Sequence, residues 1–363
     1  MTKKEALISL NMVLDIGSIR LKSLLDEFIQ PQEILKASAD KLMRVSGIGE
    51  KIAHKISSLK AQDLEDELKL AKRLELNILT YEDIDYPENL KNIYDPPIVL
   101  YVKGRLRSED VNSFAIVGSR RASIYGLSSA EKFASQLAEK GLTVVSGMAR
   151  GIDTFAHQGA IRAGGRTIAV MGAGFNHIYP PENKKLCAEI TESGAVISEL
   201  PINTPPLPQN FPRRNRVISG LALGVLVVEA ARNSGALITV DFALQQGREV
   251  FAIPGKIDSD SSSGTNKLIQ QGAKLVTSVE DVLEEFVEMP SLEKKEPTLK
   301  KCNLADENDG TLYDLIKSQV ISLDELVEKS KMDISCVSGI LLRLQIKKLI
   351  KQLPGKYFVR TGV

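Results

Sequence analysis

Between residues 114 and 253, short apolar runs alternate with amphipathic helical segments, and this alternation restricts the fold more than any other feature of the chain. Strands are expected at 114–117, 142–145 and 167–171, helices at 128–140 and 153–163, and further strands at 196–198, 225–229 and 250–253. That order with short connections implies parallel strands joined by right-handed crossovers, hence an α/β fold with a doubly wound parallel sheet. Sheets of this kind hold ligands outside the carboxyl ends of their strands, at the point where the strand order reverses.

Two strand ends are Gly-rich: Ile116-Val117-Gly118-Ser119-Arg120-Arg121-Ala122-Ser123 and Val145-Ser146-Gly147-Met148-Ala149-Arg150-Gly151-Ile152-Asp153. In each, glycine lets the backbone approach an anion, a serine hydroxyl can donate, and arginine adds charge where a helix is about to begin. A third stretch, Phe211-Pro212-Arg213-Arg214-Asn215-Arg216, follows a Pro-rich loop and reads as the start of a helical turn. Cations at the positive end of a helix dipole repel one another until an anion arrives, and guanidinium forks suit phosphate. The alternative is that these arginines pair with carboxylates such as Glu199. Set along one edge of one sheet, the three stretches make a row of cationic sites suited to a chain of phosphates. A preference for single strands would also need exposed rings on which bases stack. Phe211 is either such a ring or a plug holding the Pro-rich loop down, while Tyr125, Phe175 and Tyr179 also follow strand ends.

The bulk composition makes this clustering more informative. Net charge is +1, so a polyanion site has to come from local arrangement and not from overall charge. The three cysteines and three histidines are scattered, with no metal-ligand or disulfide spacing, which suits free thiols in a reducing cytoplasm and calls for neither metal nor cofactor. No apolar leader and no run of about eighteen apolar residues occurs, so no membrane association is expected and the location is read as cytoplasmic. A P-loop is absent, and Gly172-Ala173-Gly174 lacks the rest of a dinucleotide fingerprint. His157 has no partner at catalytic spacing and reads as a helix-packing or phosphate-side residue.

The flanks read as separate modules. In residues 1–68, helical periodicity at 6–13, 19–28 and 31–37 precedes Val45-Ser46-Gly47-Ile48-Gly49-Glu50-Lys51, which looks like a helix-hairpin-helix, with a degenerate copy at 14–20. Its Gly turn serves either a DNA phosphate or simple helix packing. Residues 69–110 carry the end of a connecting helix and a lead-in with a strand at 98–102, and 288–303 is a Pro-bounded polar linker. In 304–363, a helix at 311–317, a Ser322/Glu325 capping box, a third helix capped by Asp333 and a hairpin around Pro354-Gly355 suggest a winged helix. The start of that third helix carries Asp333, Ser335 and Ser338 in place of arginines, which favours a docking or auxiliary role over reading a groove.

Taken in order, Gly118-Ser119-Arg120, the 146–153 stretch with His157, Ser198-Glu199, the 211–216 stretch, Ser234-Gly235 and Gly264-Thr265-Asn266 resemble the DNA-processing protein A (DprA/Smf) family across the whole 111–287 domain. The resemblance implies a Rossmann-like domain that binds single-stranded DNA, forms a homodimer and loads the RecA recombinase during natural transformation, without being an enzyme. It places the DNA-binding pocket on Gly118, Ser119, Arg120, Arg121, Phe211, Arg213, Arg214, Asn215 and Arg216. The second Gly loop adds Ser146, Gly147, Arg150 and Gly151. A rival reading is a nucleotide-cleaving hydrolase of the lysine-decarboxylase-like Rossmann group. Where that group carries Pro-Gly-Gly-x-Gly-Thr followed by glutamate, this chain has Asn233-Ser234-Gly235-Ala236-Leu237-Ile238-Thr239, although Glu199 and Glu229 remain as carboxylates near strand ends.

Overall fold

The computed structural model describes residues 1–286, 312–316, 321–330, 332–347, 349–353 and 357–360. The chain divides into two compact units, Met1–Lys294 and Lys295–Val363. The expected linker at 288–303 and the turn at Pro354-Gly355 lie outside the described residues.

The first unit opens with six helices: α1 (Lys3–Asn11), α2 (Ser18–Phe28), α3 (Pro31–Lys36), α4 (Ala39–Leu42), α5 (Glu50–Ser57) and α6 (Ala61–Arg73). Thr2 caps α1 through a reciprocal box with Glu5, and Gly47, at φ +82°, makes the left-handed turn that leads into α5. Leu7, Leu24, Ile34 and Leu42 are fully buried, yet they have no core of their own. They belong to a cluster that continues into Tyr101, Val196 and Ile202, so the helical module is seated directly on the sheet.

The sheet contains β1 (Asn77–Thr80), β2 (Val99–Gly104), β3 (Ser113–Val117), β4 (Thr143–Ser146), β5 (Thr167–Val170), β6 (Ala195–Ser198), β7 (Gly224–Val227), β8 (Glu249–Ala252) and β9 (Lys274–Leu275). Their spatial order is β1-β2-β6-β5-β4-β3-β7-β8-β9. From β6 to β9 every pairing is parallel, as the alternation requires. The lead-in departs from its expected role: its strand is β2, which pairs antiparallel with β6 through Tyr101↔Ser198, and β1 adds a further antiparallel edge. Residues 77–80 escape a sequence reading because their three apolar-compatible positions also suit the tail of α6.

Connecting helices are α7 (Glu88–Lys91), α8 (Ile124–Glu139), α9 (Ile152–Arg162), α10 (Lys184–Ser193), α11 (Asn210–Leu221), α12 (Gly235–Gln245), α13 (Ser263–Gln270) and α14 (Val279–Leu283). Phe133 and Leu137 of α8 and Ala156 of α9 pack on Phe114 and Val144 from one face. Ile218 and Leu221 of α11 and Val240 of α12 cover Ala115 and Val225 from the other. From β3 the chain winds outward through β4, β5 and β6, then returns through α11 to place β7 on the other side of β3. The order reverses between β3 and β7, and the first Gly loop leaves β3 there.

In the second unit a three-stranded antiparallel sheet, Ile321–Ser322, Tyr357–Arg360 and Ile350–Leu353 in that order, packs with helices Leu323–Ser330 and Ile334–Ile346. Leu326, Val337, Leu341 and Phe358 form its core. Ser322 Oγ accepts the Glu325 backbone N–H at 3.2 Å, one half of the expected capping box.

Candidate nucleic-acid interface

A cleft of about 590 Å³ opens at the carboxyl edge of the strands, where the order reverses. Gly118, Ser119, Arg120 and Arg121 form one side, Phe211, Arg214 and Asn215 of α11 another, and Pro206, Pro208, Ile218 and Ile238 an apolar wall. Ser234, which caps α12 by accepting the Ala236 N–H, borders it together with Gly235. Arg120 and Arg121 are exposed at the rim.

The two Gly loops are locked to each other and to the strands. Ser119 N–H donates to Glu229 O at 2.7 Å, Ile152 N–H donates to Ser119 O at 3.2 Å, and Arg121 N–H donates to Ser119 Oγ at 3.1 Å. Gly151 has φ +74°, and a Cβ there would strike Ser119 O. At Gly147 a Cβ would sit 2.7 Å from Arg214 Nη1. These glycines therefore admit the neighbouring loop and an arginine tip, a role beyond the approach to an anion expected from sequence. Ser146 is no open donor for a ligand: fully buried, its hydroxyl donates to Ile116 O at 2.7 Å.

The three arginines of α11 have three different settings. Arg213 is partly exposed and donates to Leu14 O at 2.9 Å, with its Nε 3.9 Å from Glu199. Arg214 is buried under the cleft and donates through Nη1 to Gly147 O at 2.6 Å and to Val170 O. Burial pulls its pKa down to about 10, with Asp153 supporting the charge and Arg120 opposing it. Arg216 faces inward and forms a two-pronged pair with Glu199, while its Nε lies 3.1 Å from Asp95. Burial works against the Arg216 charge, but the Glu199 and Asp95 carboxylates outweigh it and hold the pKa above the ordinary arginine value. The helix start thus offers no row of three open cations. Its self-repulsion is relieved by Glu199 and by strand-end carbonyls, and the outward charge at this edge comes from Arg120, Arg121 and Arg150.

Aromatic rings interleave with those cations. Phe211 sits on the backbone of Gly172, where an added Cβ would lie 2.8 Å from its Cδ1. Arg120 lies over the Phe211 ring at 5.3 Å, Tyr179 packs beside that ring at 5.5 Å between centroids, and Arg150 lies over Tyr179 at 6.0 Å. Phe211 is half-buried, so it both anchors the loop and shows an edge to the cleft. Phe175 is buried, and Tyr125 donates to Pro254 O at 3.2 Å, outside the cleft lining. Asn215 donates to Gly235 O at 3.2 Å and ties α11 to α12.

Two groups were not singled out from sequence as site residues. Asp153 lines the cleft floor and accepts the Ala149 N–H at 3.2 Å. Burial raises its pKa, against the lowering influence of Arg214 and its hydrogen bonds. Its place in the motif, two residues after Gly151, was the available signal. Tyr179 is one of three rings at strand ends that the sequence offers for stacking, and its partnership with Phe211 depends on a contact across 32 residues of chain. His157 is fully buried, with Nδ1 2.7 Å from Thr167 Oγ1, and burial reinforced by Arg214 pulls its pKa down to about 3. Glu229 accepts from Ser123 N–H at 2.9 Å and from its hydroxyl at 3.2 Å, holding the entry to α8. Both carboxylates of the hydrolase reading, Glu199 and Glu229, are thus buried and engaged. Among the described residues no cluster suits a metal ion, and no helix is long and apolar enough to cross a membrane.

Known proteins match this architecture. The family described as DNA recombination-mediator protein A matches residues 77–287, the DprA winged helix domain matches 295–356, and a SAM-like helix-hairpin-helix tandem matches 6–63. Protein Smf of Escherichia coli (strain K12) is 37% identical over 324 residues, covering 87% of this chain and 86% of that protein. The X-ray structure of DNA processing protein A from Streptococcus pneumoniae is similar at 36% identity and TM-score 0.68, over 78% of this chain and 98% of that one. A structure addressing the single-stranded DNA binding mode of DNA processing protein A from Helicobacter pylori is similar at 28% identity and TM-score 0.52, over 58% of this chain and 96% of that one.

Proposed function

Because the chain belongs to the DNA recombination-mediator protein A (DprA/Smf) family, we propose that it binds single-stranded DNA in the cleft at the reversal point of its sheet. The observation that carries this reading is the placement of Arg120 over the Phe211 ring at the mouth of the cleft. A cation beside an aromatic ring is the pairing that holds a phosphate and the base next to it. Arg120, Arg121 and Arg150 neutralise phosphates, while Gly118, Ser119, Gly147 and Gly151 set the loops that carry them. Arg214 contributes a fixed positive charge from beneath, and Arg213, Asn215 and Arg216 hold α11 in place. A base in a duplex is stacked and paired, so reaching a recessed ring costs unpairing that a single strand does not incur.

The protein acts by binding and not by catalysis, as a cytoplasmic homodimer that protects the strand and hands it to the RecA recombinase in transformation or recombination. The helix-hairpin-helix module and the winged helix serve as auxiliary contacts. Fluorescence anisotropy with labelled single-stranded and duplex oligonucleotides across salt tests the reading. Tight single-strand binding with a steep salt slope is expected, and equal affinity for duplex would overturn it.

A further inference from the structure

We propose that Tyr179 and Arg150 form a second nucleotide subsite just outside the cleft, with the Glu182 carboxylate standing where a strand phosphate binds. This rests on the single-strand reading of the cleft and extends it by one nucleotide. Tyr179 borders both the main cleft and a small cavity of about 20 Å³ lined also by Arg120, Arg150 and Phe211, so the two spaces share a wall. Tyr179 is 37% exposed, with the Phe211 ring beside it and Arg150 over it. The two ring planes are tilted by 51°, with 5.5 Å between centroids, so bases lying on them cannot be parallel and roughly 3.4 Å apart as duplex neighbours are. Neighbouring bases reach both rings only when the strand is extended and unstacked, which makes the pair of rings a selector for single strands.

Arg150 is paired through its Nε with Glu182, and both side chains are about half exposed, at 53% and 51%. An exposed pair of this kind is weak, whereas a guanidinium grips a phosphate with two parallel hydrogen bonds. The phosphate therefore displaces the carboxylate, and Glu182 opposes the strand by like charge until it swings away. Carboxylate and phosphate compete for one guanidinium, so Glu182 limits affinity at this subsite without touching the cleft.

The test uses the full chain with a dinucleotide, short enough to occupy the cleft alone, and a hexanucleotide carrying 2-aminopurine, whose fluorescence is quenched on stacking. Tyr179→Leu should weaken hexanucleotide binding by about ten-fold and relieve part of the quenching, with a clearly smaller loss for the dinucleotide. Tyr179→Phe should restore both signals. Glu182→Gln should tighten the hexanucleotide by about two- to five-fold without changing the dinucleotide. If Tyr179→Leu weakens both ligands equally, the tyrosine only props Phe211 and the subsite is overturned. Unchanged hexanucleotide affinity in Tyr179→Leu also overturns it. Failure of the wild type to bind either ligand would instead remove the single-strand reading on which the subsite rests.

Discussion

Arg216 lies against Glu199 in a two-pronged pair, Nη1 to Oε1 at 2.9 Å and Nη2 to Oε2 at 2.7 Å, with both side chains more than nine-tenths buried. Around it, Asn11 donates to Glu199 O at 3.0 Å, Arg216 Nε reaches Asp95 at 3.1 Å, and Ser18 donates to Asp95. Asn11 and Ser18 belong to the N-terminal helices, so the network ties the helical module to α11 and fixes the angle at which that helix presents Phe211 and Arg214 to the cleft. The pair is an architectural one, placed beside the cleft.

Arg216→Ala should therefore act on stability first. Removing one member leaves the Glu199 carboxylate buried without its partner, a loss of about 3–5 kcal/mol, to be measured by urea denaturation of the full chain. The double variant Arg216→Met/Glu199→Leu should recover much of that loss, because an apolar pair of similar volume leaves no uncompensated charge. A single variant as stable as the wild type but with a flatter salt slope in DNA binding would show Arg216 in the ligand contact instead.

Arg120→Ala and Arg121→Ala should behave in the opposite way. Both side chains are exposed, so thermal stability should hold while the salt slope of oligonucleotide binding falls by about one per arginine removed, equally for all sequences. Arg120→Ala should cost more than Arg121→Ala, since it also loses the contact with the Phe211 ring. Equal slopes in wild type and both variants would place the phosphates elsewhere.

The difference between these two groups marks the limit of sequence reading here. Alternation of strand and helix places residues 118–121, 146–151 and 211–216 at one sheet edge, because parallel strands with right-handed crossovers leave few other arrangements. Local pattern does not say which way a side chain on α11 turns. Arg213, Arg214 and Arg216 occupy neighbouring positions, but the helical repeat of about 3.6 residues sends them toward the helical module, the strand ends and Glu199 respectively. Glu199 was visible as the competing partner, but choosing it required knowing that β6 ends within reach of α11. Strands β1 and β9 were illegible for simpler reasons: β1 continues the apolar positions of α6, and β9 has only two residues, too few to establish a period.

Gly147→Ala tests the seat of Arg214. The new Cβ would meet Nη1, Nη2 and Cζ at 2.7–2.8 Å, and the guanidinium is held by Gly147 O and Val170 O, so it can retreat toward the cleft only by giving up these bonds. Overpacking of this kind costs about 1–3 kcal/mol. A lowered Tm is expected together with weaker oligonucleotide binding in calorimetry, because the displaced tip moves into the cleft. A fully stable variant with normal affinity would mean that the floor adjusts without consequence for the ligand.

Asp153 gives binding a pH dependence whose sign follows from its setting. Burial raises its pKa, while Arg214, the Ala149 N–H, Ser146 and Arg120 lower it by lesser amounts, so the carboxyl takes up a proton at higher pH than an exposed aspartate. For folding, the consequence is stability that is present below the unfolded pKa and lost as pH rises through the folded one. A strand phosphate near the cleft floor adds negative charge and pushes the pKa further up, so binding draws in a proton. Affinity should then rise as pH falls toward and through the raised Asp153 pKa, by up to about ten-fold for each unit the strand adds to the pKa. His157, pulled down to about 3, stays neutral throughout and does not mimic the effect. Asp153→Asn removes the charge at every pH. It should bind more tightly than wild type at pH 8 and lose this part of the slope, as read by anisotropy at constant ionic strength. A variant whose affinity follows pH as steeply as the wild type would assign the dependence to another group.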